Sequence, residues 1–140
     1  MLEVKFYEDV ADELLKFAVI VSRYQNKWVY CKHKARNTFE LPGGHREENE
    51  DILDTAKREL YEETGAVKFE IQKISVYSVV RGEEERFGML YFANIEVFDE
   101  MPDLEIEKIV LCDEAPAEQT YPLIQPKLLE KVRQVIGNLV

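Results

Sequence analysis

The chain has 140 residues, enough for one domain with its own core. A composition that is 46% hydrophobic and 33% charged is that of a folded, soluble chain. The formal net charge of −10 argues against a basic surface for long nucleic acids, which need clustered Lys and Arg. It leaves room for a small phosphorylated ligand that arrives with a metal ion.

The first fifteen residues, MLEVKFYEDVADELL, contain no basic segment followed by a long apolar run. No secretory leader or membrane span is expected, and the expected setting is the cytoplasm. FAVIVSRYQNKWVYCKHK then reads as a hairpin. Two β-rich runs, Phe17–Tyr24 and Trp28–Lys32, flank the polar turn Gln25-Asn26-Lys27. Cys31 and Cys112 lie in apolar, strand-like contexts and read as reduced core thiols; no CxxC or Cys/His spacing points to zinc. Phe39-Glu40-Leu41 leads into Pro42-Gly43-Gly44, where two glycines imply a backbone path that a side chain would block.

A helix is predicted next, with Asp51 at its N-cap and Gly65 just past its end. At about 100° per residue, Leu53, Ala56 and Leu60 share one arc, with Ile52 at its edge. Glu59, Glu62 and Glu63 are expected on an adjoining arc. Val67–Val80 and Phe87–Phe98 read as long strands joined by a charged loop, Arg81–Arg86, and Ile106–Leu111 as another short strand. From Pro126 to Leu139, the apolar positions Leu128, Leu129, Val132, Val135, Ile136 and Leu139 predict an amphipathic helix. The whole reads as a single α/β domain, a sheet with helices on its faces.

The three helical glutamates repel one another by a few tenths of a kcal/mol per pair, and the helix C-terminus disfavours them further. A sequence that opposes its own electrostatics at one spot marks a functional candidate. Mg²⁺ or Mn²⁺ removes the conflict through oxygen ligands and is the usual companion of phosphate chemistry. The alternative is a solvated acidic helix end with Lys57 and Arg58 as ion partners.

The segment GHREENEDILDTAKRELYEETGA, Gly44 to Ala66, resembles the Nudix hydrolase signature at every defining position. These are Gly44, Glu50, Arg58-Glu59, the apolar Leu60, Glu62-Glu63 and Gly65. Ala66 is smaller than the aliphatic residue usual at the last position. The resemblance implies an α/β/α sandwich around a mixed β-sheet and a Mg²⁺- or Mn²⁺-dependent cleavage of a nucleoside diphosphate linked to another group. It implies Glu59, Glu62 and Glu63 as metal ligands or base, with Glu59 and Glu62 first for the base, and the Gly43 carbonyl as a further ligand. Arg58 and Glu50 would hold the loop and helix in register as an ion pair. Rough alignment with mutator-type members adds Glu96 as a ligand, against the plainer reading of an exposed strand glutamate.

Substrate choice is read outside that signature. Lys32, Lys34 and Arg36, ahead of Pro-Gly-Gly, are candidates to meet the phosphates, with Gly44 beside them, against the plainer reading of a solvated loop. Thr120, in the loop 118–121, aligns loosely with a base-reading loop of mutator-type relatives. Tyr24, Trp28, Phe39, Tyr77, Phe87 and Tyr121 include candidate stacking platforms, most of them core. His33 and His45 are lone histidines. Marker patterns for NADH, coenzyme A and ADP-ribose members are not evident. The expected partner is a small nucleotide-type substrate, with a homodimer through strand edges or the C-terminal helix as an option. Competing readings are a housecleaning hydrolase of ordinary or oxidised nucleoside triphosphates, a sugar-nucleotide or dinucleotide hydrolase, an enzyme acting on the 5′ triphosphate of RNA, which the acidic surface makes less attractive, and a non-catalytic nucleotide-sensing module.

Overall fold

The computed structural model describes residues 2–102 and 105–137. In chain order these form β1 (Leu2–Tyr7), a short 3-10 turn (Asp12–Leu14), β2 (Leu15–Tyr24), β3 (Lys27–His33) and β4 (Gly43–His45). Then come α1 (Ile52–Thr64), β5 (Ala66–Arg81), β6 (Glu84–Phe98), β7 (Ile106–Cys112) and α2 (Gln125–Ile136). The strands make one seven-stranded sheet in the order β1-β5-β6-β2-β3-β7, with β4 added to β2. β2 and β6 run parallel while the other pairs are antiparallel, so the sheet is mixed.

Alternation along the strands sorts the core into two layers. Ile20, Val76, Met89 and Tyr91 face α1 and pack with its Ile52, Ala56 and Leu60. Their neighbours Val21, Tyr77, Leu90 and Phe92 face α2 and pack with its Leu128, Leu129 and Val132. Leu60 and Leu128 are fully buried, each contributing about 2 kcal/mol by the area it removes from water. The result is the expected α/β/α sandwich.

Several local expectations change. The first hairpin turn is two residues, not three: Lys27 already pairs with Tyr24, and Gln25 and Asn26 take φ of 50° and 66°. That double left-handed geometry suits the twist of the flanking strands. The loop expected over Arg81–Arg86 is likewise strand almost to its tip, since Arg81 pairs with Glu84 across Gly82, whose φ is 60°. Solvent on both faces removed the apolar alternation that would have revealed it. β1 was not anticipated, although Leu2, Val4 and Phe6 alternate onto the α2 core. The helix predicted to Leu139 ends at Ile136, and Leu139 lies outside the described residues. Cys31 is buried and Cys112 half-buried, both unbridged.

The site is prepared where β2 and β3 part. They pair only at Arg23–Trp28 and Tyr24–Lys27. Beyond that point β4 takes the place of β3, setting Val19 opposite Gly43, Ala18 opposite Gly44 and Phe17 opposite His45. β3 instead pairs Cys31 with Glu40 through backbone bonds of 2.8 and 2.9 Å. Residues 39–45 thus form a wedge in a split sheet, and α1 crosses over it.

Candidate active site

α1 begins after Asp51, whose side chain makes no capping bond. The loop ahead of it is held by Glu50 instead. One Glu50 oxygen accepts from the Thr55 hydroxyl (2.7 Å) and the Glu47 N–H (3.1 Å). Both oxygens accept from Arg58, Nε at 2.7 Å and Nη2 at 3.0 Å, a bidentate pair. These bonds, Arg58 foremost, draw the Glu50 carboxyl from an ordinary 4.5 to about 2 against a smaller opposing effect of burial. The same bonds raise the Arg58 guanidinium, which stays charged. Arg58 also donates to the His45 carbonyl at 3.0 Å and to Glu62 at 2.9 Å. One guanidinium therefore ties the loop, β4 and the second turn of the helix together. At the other end Gly65 takes φ 81° and donates to the Tyr61 carbonyl; a Cβ there would overlap the Asp99 carbonyl.

The three signature glutamates do not share one environment. Glu63 is buried, whereas Glu59 is half-buried and the Glu62 side chain is 41% exposed. At about 100° per residue Glu63 falls between Ile52 and Ala56, inside the buried arc rather than beside it. For the same reason Ile52 is buried and Leu53 only half-buried, the reverse of the expected order. Glu63 meets polar partners in that buried place: its Oε1 accepts the Gly43 N–H at 2.9 Å. Glu59 lies against Gly44 so closely that a Cβ there would overlap its carboxylate.

A cavity of about 780 Å³ opens on the α2 face of the sheet. Glu59, Glu63, Gly43, Gly44 and Arg58 line one side of it. Its floor is made by His45 on β4, Phe17 on β2 and Tyr77 on β5, which stand in one row across the sheet with Gly88 on β6 between the last two. A Cβ at Gly88 would collide with the Phe17 ring. The missing side chain lets that ring lean across β6 to meet Tyr77, with centroids 5.6 Å apart, while His45 stands edge-on at 6.2 Å. Burial pushes the Tyr77 phenol well up, so it stays neutral. The chain's 18 basic residues are seven arginines and eleven lysines. Arg36, Arg46, Arg58, Arg81 and Arg86 line this cavity, and no lysine does among the described residues. Guanidinium, with its planar fork of donors, is the side chain best matched to phosphate oxygens.

Other residues singled out from the sequence sit elsewhere. Lys34 is exposed, with its backbone N–H on the Glu105 carbonyl. Thr120 shares a 2.7 Å hydrogen bond with Thr38, and it is the next residue, Tyr121, that lines the cavity. Glu62 and Glu96 are not among the lining residues, and Glu96 is exposed on β6. Trp28 is buried beneath the guanidinium groups of Arg23 and Arg133. Sequence reasoning left out Phe17, Gly88 and Glu40 and set His33 aside. His33 Nε2 lies 2.7 Å from Glu40 Oε1 and 3.4 Å from Glu63 Oε2. Only the meeting of β3, the wedge and α1 creates that contact.

The donor set fits a divalent cation. Carboxylate oxygens from one helix face stand beside a glycine backbone, and the missing Cβ of Gly44 leaves the space that Glu59 uses. A cleft joining acidic oxygens to guanidinium groups, on an α/β/α sandwich, defines a phosphoanhydride hydrolase. The family comparison agrees: residues 13–132 match the NUDIX domain, and the chain belongs to the Nudix family. It is 30% identical over 116 residues to YtkD of Bacillus subtilis, provisionally named an 8-oxo-dGTP diphosphatase, covering 82% of this chain and 73% of that one. The crystal structure of the B. subtilis pyrophosphohydrolase BsRppH superposes with a TM-score of 0.78 at 26% identity, over 95% of this chain and 90% of that one. An RNA pyrophosphohydrolase of Bartonella henselae is 40% identical over 68 residues, 42% of this chain and 39% of that protein. The protein is a hydrolase acting on pyrophosphate bonds.

Proposed function

We propose that the substrate is a nucleoside 5′-triphosphate end, cleaved with the help of Mg²⁺ or Mn²⁺. The single observation that carries this reading is the cavity that Glu59, Glu63 and Gly43 line together with five arginines and the aromatic residues Phe17 and Tyr77. Several guanidinium groups suit several phosphates, and the Phe17–Tyr77 floor suits a stacked base. The names of the relatives point the same way: 8-oxo-dGTP diphosphatase and RNA pyrophosphohydrolase both denote triphosphate-bearing substrates.

Glu63 and the Gly43 carbonyl would hold the cation, with Glu62 adding negative charge from its place on Arg58. When bound, the ion neutralises the diphosphate oxygens and acidifies a water. Glu59, which lines the cavity, accepts the proton of the attacking water. Glu50 and Arg58 position the loop and take no part in proton transfer. Arg36 approaches the phosphates from the wedge side, already oriented by Glu40 at 2.9 Å. Arg81 and Arg86, at the tip of the β5–β6 hairpin, meet whatever extends past the base. Arg81 on β5 stands three strands from β4 and Arg86 on β6 two, at about 4.8 Å per strand, and both lie beyond the row of Tyr77 and Gly88. That position is what favours an RNA 5′ end as the second reading.

A panel of nucleoside triphosphates, their 8-oxo forms, ADP-ribose, dinucleoside polyphosphates and 5′-triphosphorylated RNA, assayed with product identification, tests the proposal. Pyrophosphate plus monophosphate, or phosphate release from the RNA, is the expected result. Cleavage confined to ADP-ribose or sugar nucleotides would refute it. The reading places the enzyme in the cytoplasm, where such substrates are made.

A further inference from the structure

We propose that His33, Glu40 and Glu63 form a cation site of their own at the β3 side of the cavity, suited to a transition ion such as Mn²⁺ or Zn²⁺ rather than Mg²⁺. It rests on the reading of Glu63 as a cation ligand and extends that reading to two residues outside the signature. Three unrelated elements converge here: the last residue of β3, the wedge, and the fourth turn of α1. One ligand atom from each, His33 Nε2 and a carboxylate oxygen of Glu40 and Glu63, lies within 4.8 Å of the other two. Side-chain exposure is 15%, 8% and 9% respectively, so this is not a loose surface cluster.

The second oxygens of the two acids provide an independent sign. Glu40 Oε2 is held by Arg36 Nη1 at 2.9 Å, and Glu63 Oε1 by the Gly43 N–H at 2.9 Å. Each carboxylate is therefore fixed from behind by a protein donor, and its other oxygen is turned toward the same imidazole nitrogen. Outer hydrogen bonds of this kind are what orient metal ligands. Ligand atoms around an ion at about 2.1 Å stand about 3–3.5 Å apart, close to the spacings seen between His33 and the two acids. All three residues line the cavity, so water or a phosphate oxygen can complete the coordination.

The imidazole decides the ion. Mg²⁺ takes oxygen ligands and keeps its waters, whereas imidazole suits Zn²⁺ and its neighbours best, and Mn²⁺ accepts it beside carboxylates more readily than Mg²⁺ does. Without an ion, the His33 ring bridges the two acids and keeps the trio assembled. A cation replaces that bridge without moving the backbone.

The test is Mn²⁺ binding to the wild-type protein read by electron paramagnetic resonance, with electron spin echo modulation to detect nitrogen on the ion. The chain has only two histidines, so the assignment is direct. A ¹⁴N modulation that survives excess Mg²⁺ and the His45→Gln change, and is lost in His33→Gln, is the expected result. Glu40→Gln should weaken Mn²⁺ binding tenfold to a hundredfold. Bound Mn²⁺ with no nitrogen coupling in the wild type overturns the proposal, as does coupling that persists in His33→Gln. Because the decisive signal comes from the unaltered protein, a poorly folded variant cannot rescue or sink it. Mg²⁺-dependent hydrolysis by the same sample is scored in parallel. Activity without nitrogen coupling removes this site alone, while absence of any hydrolysis removes the enzymatic reading.

Discussion

Glu59 occupies the space that a side chain on Gly44 would need. Gly44 has an ordinary backbone conformation, so alanine fits its backbone without strain. Its methyl group must instead displace the Glu59 carboxylate, a half-buried group at the end of a flexible chain. Gly44→Ala should therefore leave thermal stability nearly unchanged and lower kcat about a hundredfold, the scale expected when a catalytic group is misplaced by an ångström or so. Melting curves and steady-state kinetics on the same preparation check this. A variant with full turnover would show that the position of Glu59 does not matter.

The Glu50–Arg58 pair makes a prediction about stability and pH. The Glu50 carboxyl titrates at about 2 in the folded protein against an ordinary 4.5. A lowered carboxyl pKa means that the folded state binds its proton later than the unfolded state. The stabilisation is then complete above about 4.5 and fades as the pH falls toward 2. Glu50→Gln should lower stability by about 1–3 kcal/mol at neutral pH, because it weakens charge-assisted bonds to Arg58. Urea unfolding of both proteins from neutral pH downward should show the gap narrowing only below about 4.5. A gap that is constant to acid would mean that the pair contributes nothing through charge.

Gly88 is predicted to matter through the ring that covers it. A methyl group there meets Phe17 ring atoms and the Phe17 carbonyl inside a packed layer. Overpacking of this kind costs about 1–3 kcal/mol. For a domain of this size that lowers Tm by about 2–4 °C per kcal/mol. Gly88→Ala should also lift the Phe17 ring away from Tyr77 and raise KM more than it lowers kcat. A lower Tm with KM unchanged would leave the floor as packing alone, with no role in binding.

How much of this was legible beforehand depended on whether the signal was local. The acids of α1, the glycine at its end and the first hairpin are written in spacings of a few residues, and the fold class followed from them. Glu63 was misplaced only because its charge suggested solvent, although its angular position between Ile52 and Ala56 already put it inside. β4 had no readable signal, since Gly43-Gly44-His45 has no strand propensity and exists as a strand only because β2 and β3 part beside it. The contact of His33 with Glu40 and Glu63 joins residues from three elements, and no period in the sequence encodes it. Gly88 shows the same limit: its meaning lies in Phe17, a residue on a parallel neighbour.

The use of arginine without lysine around the cavity leads to the last prediction. Arg58 and Arg46 are engaged in holding the loop, Arg46 through Asp12 and the Glu50 carbonyl. Arg36 is oriented by Glu40. Arg81 and Arg86 have no such duty to the loop or wedge, and both are exposed at the hairpin tip. The Arg86–Glu84 pair is solvent-facing and contributes little. Replacing both by serine should therefore leave Tm within about 4 °C, since each surface change of this kind rarely exceeds about 0.5 kcal/mol. If these two guanidinium groups meet a phosphodiester beyond the first nucleoside, the double variant loses kcat/KM on triphosphorylated RNA about tenfold to a hundredfold, at about 1 kcal/mol for each exposed charged contact. Activity on free nucleoside triphosphates should change much less. Added salt should weaken the wild-type reaction on RNA more steeply than that of the variant, because fewer phosphate contacts remain to be screened. Equal losses on both substrates would assign the pair to the triphosphate itself, and no loss on either would make it a solvated hairpin end.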